Sequence, residues 1–206
     1  MSSEAMYNNY NQTLTNSVTK QRSSLYHVMQ EVPCSNNEYR VVEKHYGQLV
    51  LRVAADNVMF AEAITTITQL QLPTKPLQSA SNDDYTIHWI SPDEYLLLCP
   101  ENTEFKVETL LRAEMTDEKN HYAIVNVTSG QTVVDISGNR AESILMKSTP
   151  YDIHPSTLSL GKVVSTVFAK TQVILWRTSS DHFSVVIRRS FSDYFWRWLI
   201  DAGKRD

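Results

Sequence analysis

The chain has 206 residues, of which 42% are hydrophobic and 20% are charged, and its formal net charge is -4. This composition is typical of a globular protein with a sizeable core, and the net charge gives no general reason to bind nucleic acid or an anionic membrane. The sequence has no secretory signal and no run of 18 apolar residues. We therefore expect a cytoplasmic protein with neither nucleic acid nor membrane among its partners.

Residues 1–22 are rich in Asn, Ser and Thr and contain few large aliphatic side chains. Such a segment buries too little apolar surface to offset the entropy lost when it becomes ordered. The composition predicts a flexible N-terminal tail, with an arm that folds onto a neighbouring subunit as the alternative. Residues 23–206 are predicted to form the folded domain.

The first half of this domain shows strand and helix patterns in a regular order. Two strands meet at Gly47, where the pattern is typical of a hairpin. In chain order, the predicted elements are strands 39–45 and 48–54, a helix from Asp56 to about Leu70, strands 85–90 and 94–99, and a helix near 103–114.

The second half repeats this order at a spacing of roughly one half of the chain. Its predicted elements are strands 122–128 and 131–137, a helix opened by Gly138-Asn139, strands 163–169, 172–177 and 183–189, and a closing helix. Three features recur in sequence: Gly47-Gln48 as Gly130-Gln131, Trp89 as Trp176, and Phe105 as Phe191. We predict an α+β fold of duplicated β-β-α-β-β-α units with mixed or antiparallel sheets. The repeats span about 39–115 and 121–203, and we expect them to share one core.

Motifs for catalysis, cofactors and metals give no candidate site. The chain has no GxGxxG or GxxxxGK[ST] loop, no GxSxG elbow, and neither HxxxH nor CxxC spacing. Asp152 and His154 lie two residues apart between prolines, so they form either a catalytic pair or, more simply, a hydrogen bond that braces a loop. We predict no catalytic, cofactor-binding or metal-binding residue on this chain.

The closing helix carries more aromatic side chains than one core face needs. The predicted core stripe, at helical spacing, consists of Phe191, Tyr194, Phe195, Trp198 and Leu199. Trp196 and Ile200 then lie on the side expected to face water, where either another part of the chain or a partner must cover them. Because tryptophan and arginine are enriched at interfaces, we predict a partner interface at Trp196, Ile200, Arg188, Arg189 and Arg197.

Six stretches in order resemble the gamma subunit of heterotetrameric sarcosine oxidase. They are LPTKP at 72–76, WISPDEYLLL at 89–98, VNVTSGQTVVDISG at 125–138, YDIHP at 151–155, VILWR at 173–177 and RRSFSDYFWRWL at 188–199. The resemblance covers residues 23–203 and implies a fold like the folate-binding domain of the glycine-cleavage T-protein.

The resemblance also implies a role for the chain. Such complexes demethylate sarcosine oxidatively to glycine, with oxygen giving hydrogen peroxide and the one-carbon unit passing to tetrahydrofolate. FAD, FMN, NAD, zinc and tetrahydrofolate are implied on the alpha, beta and delta subunits, and none on this chain. The expected role is that of an accessory subunit of an oxidoreductase acting on CH-NH bonds, with the alpha subunit as its chief partner.

A second hypothesis is a stand-alone folate-binding module of T-protein type. A folate site offers a carboxylate to the pterin ring beside an aromatic wall. Asp135 or Asp152, with Trp89 or Tyr151, are the residues that this hypothesis nominates.

Overall fold

The structure, a computed structural model, describes residues 23–31, 36, 38–54, 56–115 and 121–204. The predicted tail at 1–22 lies outside the described residues. The helices are α1 (Tyr26–Glu31), α2 (Val58–Thr68), α3 (Glu104–Glu114), α4 (Ala141–Met146) and α5 (Ser192–Ala202), with a 3-10 turn (Arg189–Phe191) before α5. The strands are β1 (Arg40–Lys44), β2 (Tyr46–Val53), β3 (Ser79–Ser81), β4 (Thr86–Ser91), β5 (Glu94–Pro100), β6 (Tyr122–Asn126), β7 (Gln131–Ser137), β8 (Val163–Phe168), β9 (Thr171–Ser179) and β10 (His182–Arg188).

The predicted duplication is confirmed in the order of these elements. From β1 to α3 the order is ββαβββα, and from β6 to α5 the same order returns. Two elements were not predicted from the sequence, namely the short strand β3 and the helix α1. With three and six residues, they show too few repeats of alternating or helical hydrophobicity to be recognised.

The predicted hairpin at Gly47 is wrong. A single residue, His45, separates β1 from β2, and the two strands enter different sheets. One five-stranded sheet has the order β1-β7-β10-β9-β8 and the other has the order β3-β4-β5-β2-β6. Each sheet thus receives one strand from the other half, and every strand pair in them is antiparallel. The strand pattern alone carries no information on which partner a strand finds.

The two sheets pack face to face, and helices cover the outer face of each. Alternation along β7 shows the arrangement: Val134 and Ile136 contact the helix-covered cluster, whereas Val133 belongs to the cluster between the sheets. Three apolar clusters result, so the expectation of one shared core is wrong. Each half buries its own helices, and the halves meet through a smaller cluster that only strands build.

His88 and Trp176 occupy equivalent positions of the two halves. His88 pairs with Leu96 in the β4–β5 hairpin and Trp176 pairs with Ser184 in the β9–β10 hairpin, a separation of eight residues in both cases. The predicted correspondence of Trp89 with Trp176 is therefore wrong by one residue. A shift of one residue changes the face of a strand, and Trp89 indeed packs on the helix-covered side of its sheet.

Candidate functional site

The structure corrects the predicted exposure of Trp196. This side chain is only 2% exposed and belongs to the same buried cluster as Leu25 and Val28, which lie at α1. Helix α1 lies against α5, where Ser192 Oγ donates to the Ser24 carbonyl over 3.4 Å. The cover that Trp196 requires is thus supplied by the chain itself, so the sequence-based expectation that this side chain faces water is wrong.

The buried face of α5 differs from the predicted core stripe, and the cause lies at the start of the helix. Phe191 lies in the 3-10 turn, not in the α-helix, and is 41% exposed. Counting 3.6 residues per turn from Phe191 therefore rotates the whole stripe. The fully buried side is Ser192, Phe195, Trp196 and Leu199. Trp198 and Ile200 are part-buried and pack on the edge of the same cluster.

The three nominated arginines lie at the surface around α5. Arg188 ends β10 and Arg189 opens the 3-10 turn, and both are exposed. Arg197 forms ion pairs with Asp193 in its own helix, at 3.0 Å, and with Glu31 of α1, at 2.9 Å. Ile200 is part-buried on α5, and the partner interface at these residues stays a prediction.

A polar cluster around Asp135 lies on the face of β7 that is turned toward the other sheet. Ser184 Oγ donates to one oxygen of this buried carboxylate over 2.6 Å. The Nε2 atom of His182 lies 3.1 Å from the other oxygen, without the alignment of a hydrogen bond, and Nζ of Lys44 lies 3.8 Å away. Burial, and secondly the charge of Asp135, raises the pKa of Tyr46. The carboxylate is compensated by these neighbours within the chain.

The sequence did not indicate this cluster, because its members come from three different strands. Only the register of β7 against β1 and β10 brings Lys44, Asp135 and Ser184 together.

Asp152 and His154 form a braced loop. Asp152 accepts a hydrogen bond from the backbone N–H of His154 over 3.0 Å and another from Thr157 Oγ1 over 2.7 Å. These two bonds lower the pKa of the exposed Asp152 carboxyl, with the hydroxyl of Thr157 as the larger cause. The His154 ring contacts Ser156 Oγ at 2.8 Å instead of the carboxylate. The geometry fits the simpler of the two sequence-based interpretations.

The residues nominated for a folate site are not brought together. Asp135 faces the space between the sheets, whereas Asp152 is exposed in its loop. Trp89 packs on the helix-covered cluster of the first half, and Tyr151 packs on that of the second half. No carboxylate of this set has an aromatic wall from the same set.

Within the described ranges, no group of three or more His, Cys, Asp or Glu side chains is placed to hold a metal ion. No helix of the described chain is long and apolar enough to span a bilayer. Cys99 is a buried free thiol, and burial raises its pKa, whereas Cys34 lies outside the described residues.

Comparison with known proteins finds similarity to sarcosine oxidase gamma subunits. A family model described as "Sarcosine oxidase, gamma subunit family" matches residues 37–205. The sarcosine oxidase subunit gamma of Corynebacterium sp. (strain P-1) is 32% identical over 124 residues, which are 60% of this chain and 59% of that protein. The match thus spans less than two thirds of that relative's length.

Two solved structures are similar in fold. A chain of the heterotetrameric sarcosine oxidase from Corynebacterium sp. U-96, in complex with pyrrole 2-carboxylate, aligns with a TM-score of 0.79 and 26% identity, over 88% of this chain and 94% of that one. The glycine cleavage system aminomethyltransferase T from Bartonella henselae aligns with a TM-score of 0.61 and 8% identity, over 87% of this chain and 57% of that one. The predicted T-protein-like fold is confirmed.

Proposed function

Because the chain belongs to the sarcosine oxidase gamma subunit family, we propose that it is an accessory, non-catalytic subunit of a heterotetrameric sarcosine oxidase. One observation carries the proposal. The structure aligns with 94% of a chain from a heterotetrameric sarcosine oxidase at a TM-score of 0.79, so the similarity extends over nearly a whole subunit. In this proposal the activity belongs to the assembly.

The contacts of the titratable side chains support a non-catalytic role. Asp135 is compensated by Ser184, Asp152 braces its own loop, and His88 is buried against Trp176. A general acid or base must instead reach a substrate proton within hydrogen-bond distance. These groups are used to hold the fold.

The chemistry of the complex follows from the family resemblance and is part of the proposal. The assembly oxidatively demethylates sarcosine to glycine, releases hydrogen peroxide and passes the one-carbon unit to tetrahydrofolate. FAD, FMN, NAD, zinc and tetrahydrofolate are assigned to the alpha, beta and delta subunits. The cytoplasmic location stays a prediction.

The surface around α5 is a proposed contact to the alpha subunit. Its members are Arg188 at the end of β10, Arg189 in the 3-10 turn, and Arg197 and Ile200 in α5. Arginine is favoured at such contacts because its planar guanidinium binds carboxylates in pairs of hydrogen bonds. Charge reversal at Arg188 is expected to weaken this contact.

Purification of the tagged chain from its native host tests the proposed function. We expect a yellow complex that contains a large flavin-bearing subunit in equal amount, and hydrogen peroxide production that depends on added sarcosine. A colourless chain recovered alone, under conditions that preserve weak complexes, would contradict the subunit role. A complex without sarcosine-dependent peroxide would retain the subunit role and overturn the substrate.

A further inference from the structure

A groove lies along the side of α2 that is turned away from the core. Its volume is about 630 Å³, and one wall is built by Val58, Ala61, Glu62, Thr65 and Thr66. These residues recur at i, i+3, i+4, i+7 and i+8, so they share one side of the helix. One side of α2 therefore packs on the core of the first half, and another side forms a wall of this groove.

The opposite wall is a segment without regular secondary structure. It follows α2 and contributes Gln71, Leu72 and Thr74 to the groove. Two non-glycine residues with positive φ bracket it, Gln69 at 59° and Leu77 at 64°. Such conformations cost free energy and persist only where the surrounding structure enforces them. These two residues therefore set the directions in which the chain enters and leaves this wall.

The groove combines an apolar floor with negative charge. Leu72 is 8% exposed at its base, and Val58, at 67%, is the most exposed large hydrophobic side chain of the described chain. Asp56 and Glu62 contribute carboxylates, and the lining contains neither lysine nor arginine. Neither carboxylate has a hydrogen bond or ion pair to the described part of the chain. The complementary occupant is apolar and positively charged.

We propose that this groove, between α2 and residues 71–74, receives an apolar segment bearing Lys or Arg from a neighbouring subunit of the complex. The inference rests on the proposed function, since it names a surface through which the assembly forms. Helix α2 has 11 residues, which corresponds to a length of about 16 Å and a contact of about three helical turns. Opposite charge at the rim sets the register of the segment, and the apolar floor provides the buried centre.

The test uses the tagged full-length chain in its native complex. Val58→Lys removes the exposed apolar side chain and places a positive charge in the groove, at a position exposed enough to leave the fold intact. The matched control is Met146→Lys, at a similarly exposed hydrophobic residue (60%) at the end of α4 in the other half. We expect at least tenfold lower recovery of the other subunits with Val58→Lys and unchanged recovery with Met146→Lys.

The outcomes separate the two proposals. If the unaltered chain brings no other subunit with it, the proposed function fails. If the unaltered chain assembles and Val58→Lys assembles equally well, or if Val58→Lys and Met146→Lys lose the subunits to the same extent, the groove proposal is overturned. Glu62→Lys provides a second variant on the exposed side of the helix. We expect it to lower the recovery of the other subunits, and we expect added salt to lower that recovery no further.

Photo-crosslinking identifies the occupant. Benzoylphenylalanine in place of Thr65, which is exposed on the groove wall, is expected to form a crosslink to a peptide of another subunit that contains Lys or Arg near apolar residues. A crosslink to a second copy of this chain, or to an acidic peptide, would contradict the proposal.

Discussion

His88 and Trp176 pack against each other in a tilted arrangement between the two sheets, with ring centroids 4.4 Å apart and ring planes at 50°. The two side chains hold equivalent positions in the two halves, so the pseudo-symmetry of the chain brings an imidazole and an indole together at its centre. Nδ1 of His88 lies 2.7 Å from Ser79 Oγ, while Nε2 is buried without a hydrogen-bond partner among the described residues. Burial lowers the pKa of His88 from its ordinary value of 6.5 to about 3.

The first prediction concerns the pH dependence of stability that His88 confers. Below pH 6.5 the unfolded chain protonates this histidine, whereas the folded chain keeps it neutral down to about pH 3. The unfolded state then binds more protons, so the free energy of unfolding falls as the pH is lowered through this window. The contribution of one such group is about 1.4 kcal/mol per pH unit.

Urea denaturation at several pH values between 4 and 7.5 measures this contribution. His88→Gln removes the titrating group, and we expect the pH slope of its free energy of unfolding to be smaller than that of the unaltered chain by about 1.4 kcal/mol per unit below pH 6. Identical slopes would mean that His88 is solvated in the folded state.

Arg177 is predicted to be the most costly arginine to remove. Its side chain is 2% exposed and forms an ion pair with Glu142 at 3.0 Å. It also donates to the carbonyls of Leu158 and Ile153 and lies over the Phe183 ring at 4.4 Å. Removal leaves buried acceptors without donors, so Arg177→Ala is expected to lower the free energy of unfolding by about 3–5 kcal/mol.

The control for Arg177 is an arginine in an exposed ion pair. Arg52 contacts Glu94 at 2.6 Å, but its side chain is 63% exposed. We expect Arg52→Ala to cost less than about 1 kcal/mol in the same denaturation measurement. Similar losses for the two variants would contradict the view that Arg177 anchors the loop before β8.

Gly47 and Gly130 form a matched pair for substitution. A Cβ at Gly47 would lie 2.6 Å from Cys99 Sγ and 2.9 Å from Glu104 Cβ, whereas at Gly130 the nearest atom is the Val127 carbonyl oxygen at 3.4 Å. Gly47→Ala is thus expected to overpack the contact between β2 and α3, at a cost of about 1–3 kcal/mol. Gly130→Ala should lie within about 0.5 kcal/mol of the unaltered chain. Thermal unfolding of the two variants side by side decides the point, and equal midpoints would refute it.

Trp196 is predicted to act on folding and not directly on assembly. Because its side chain is buried beneath α1, Trp196→Ala should destabilise the isolated chain by about 3–5 kcal/mol. Phe191→Ala, at an aromatic residue that is 41% exposed, should cost less than about 1 kcal/mol. Chemical denaturation of the isolated variants distinguishes them. An unaltered midpoint for Trp196→Ala would restore this residue as a surface contact.

Prediction from sequence succeeded where a pattern is local. The hydrophobic period located the long strands and the helices α2, α3 and α5, and the repeated order of elements revealed the duplication. The face of α5 was predicted less well, since a 3-10 turn at Phe191 changes the angle per residue before the helix begins. Val28, which helps to cover the remaining buried face of α5, comes from a helix too short to be recognised in the sequence.

The amino-acid sequence by itself determined the α+β class, the two similar halves and the family, because composition, periodicity and ordered motifs are properties of neighbouring residues. Only the tertiary structure decided that β1 and β6 cross into the opposite sheets, that Trp196 is covered by the chain itself, and that His88 meets Trp176. The physical reason is that strand partners and buried faces depend on contacts between residues far apart in the chain. Those contacts are selected by the packing of the whole molecule.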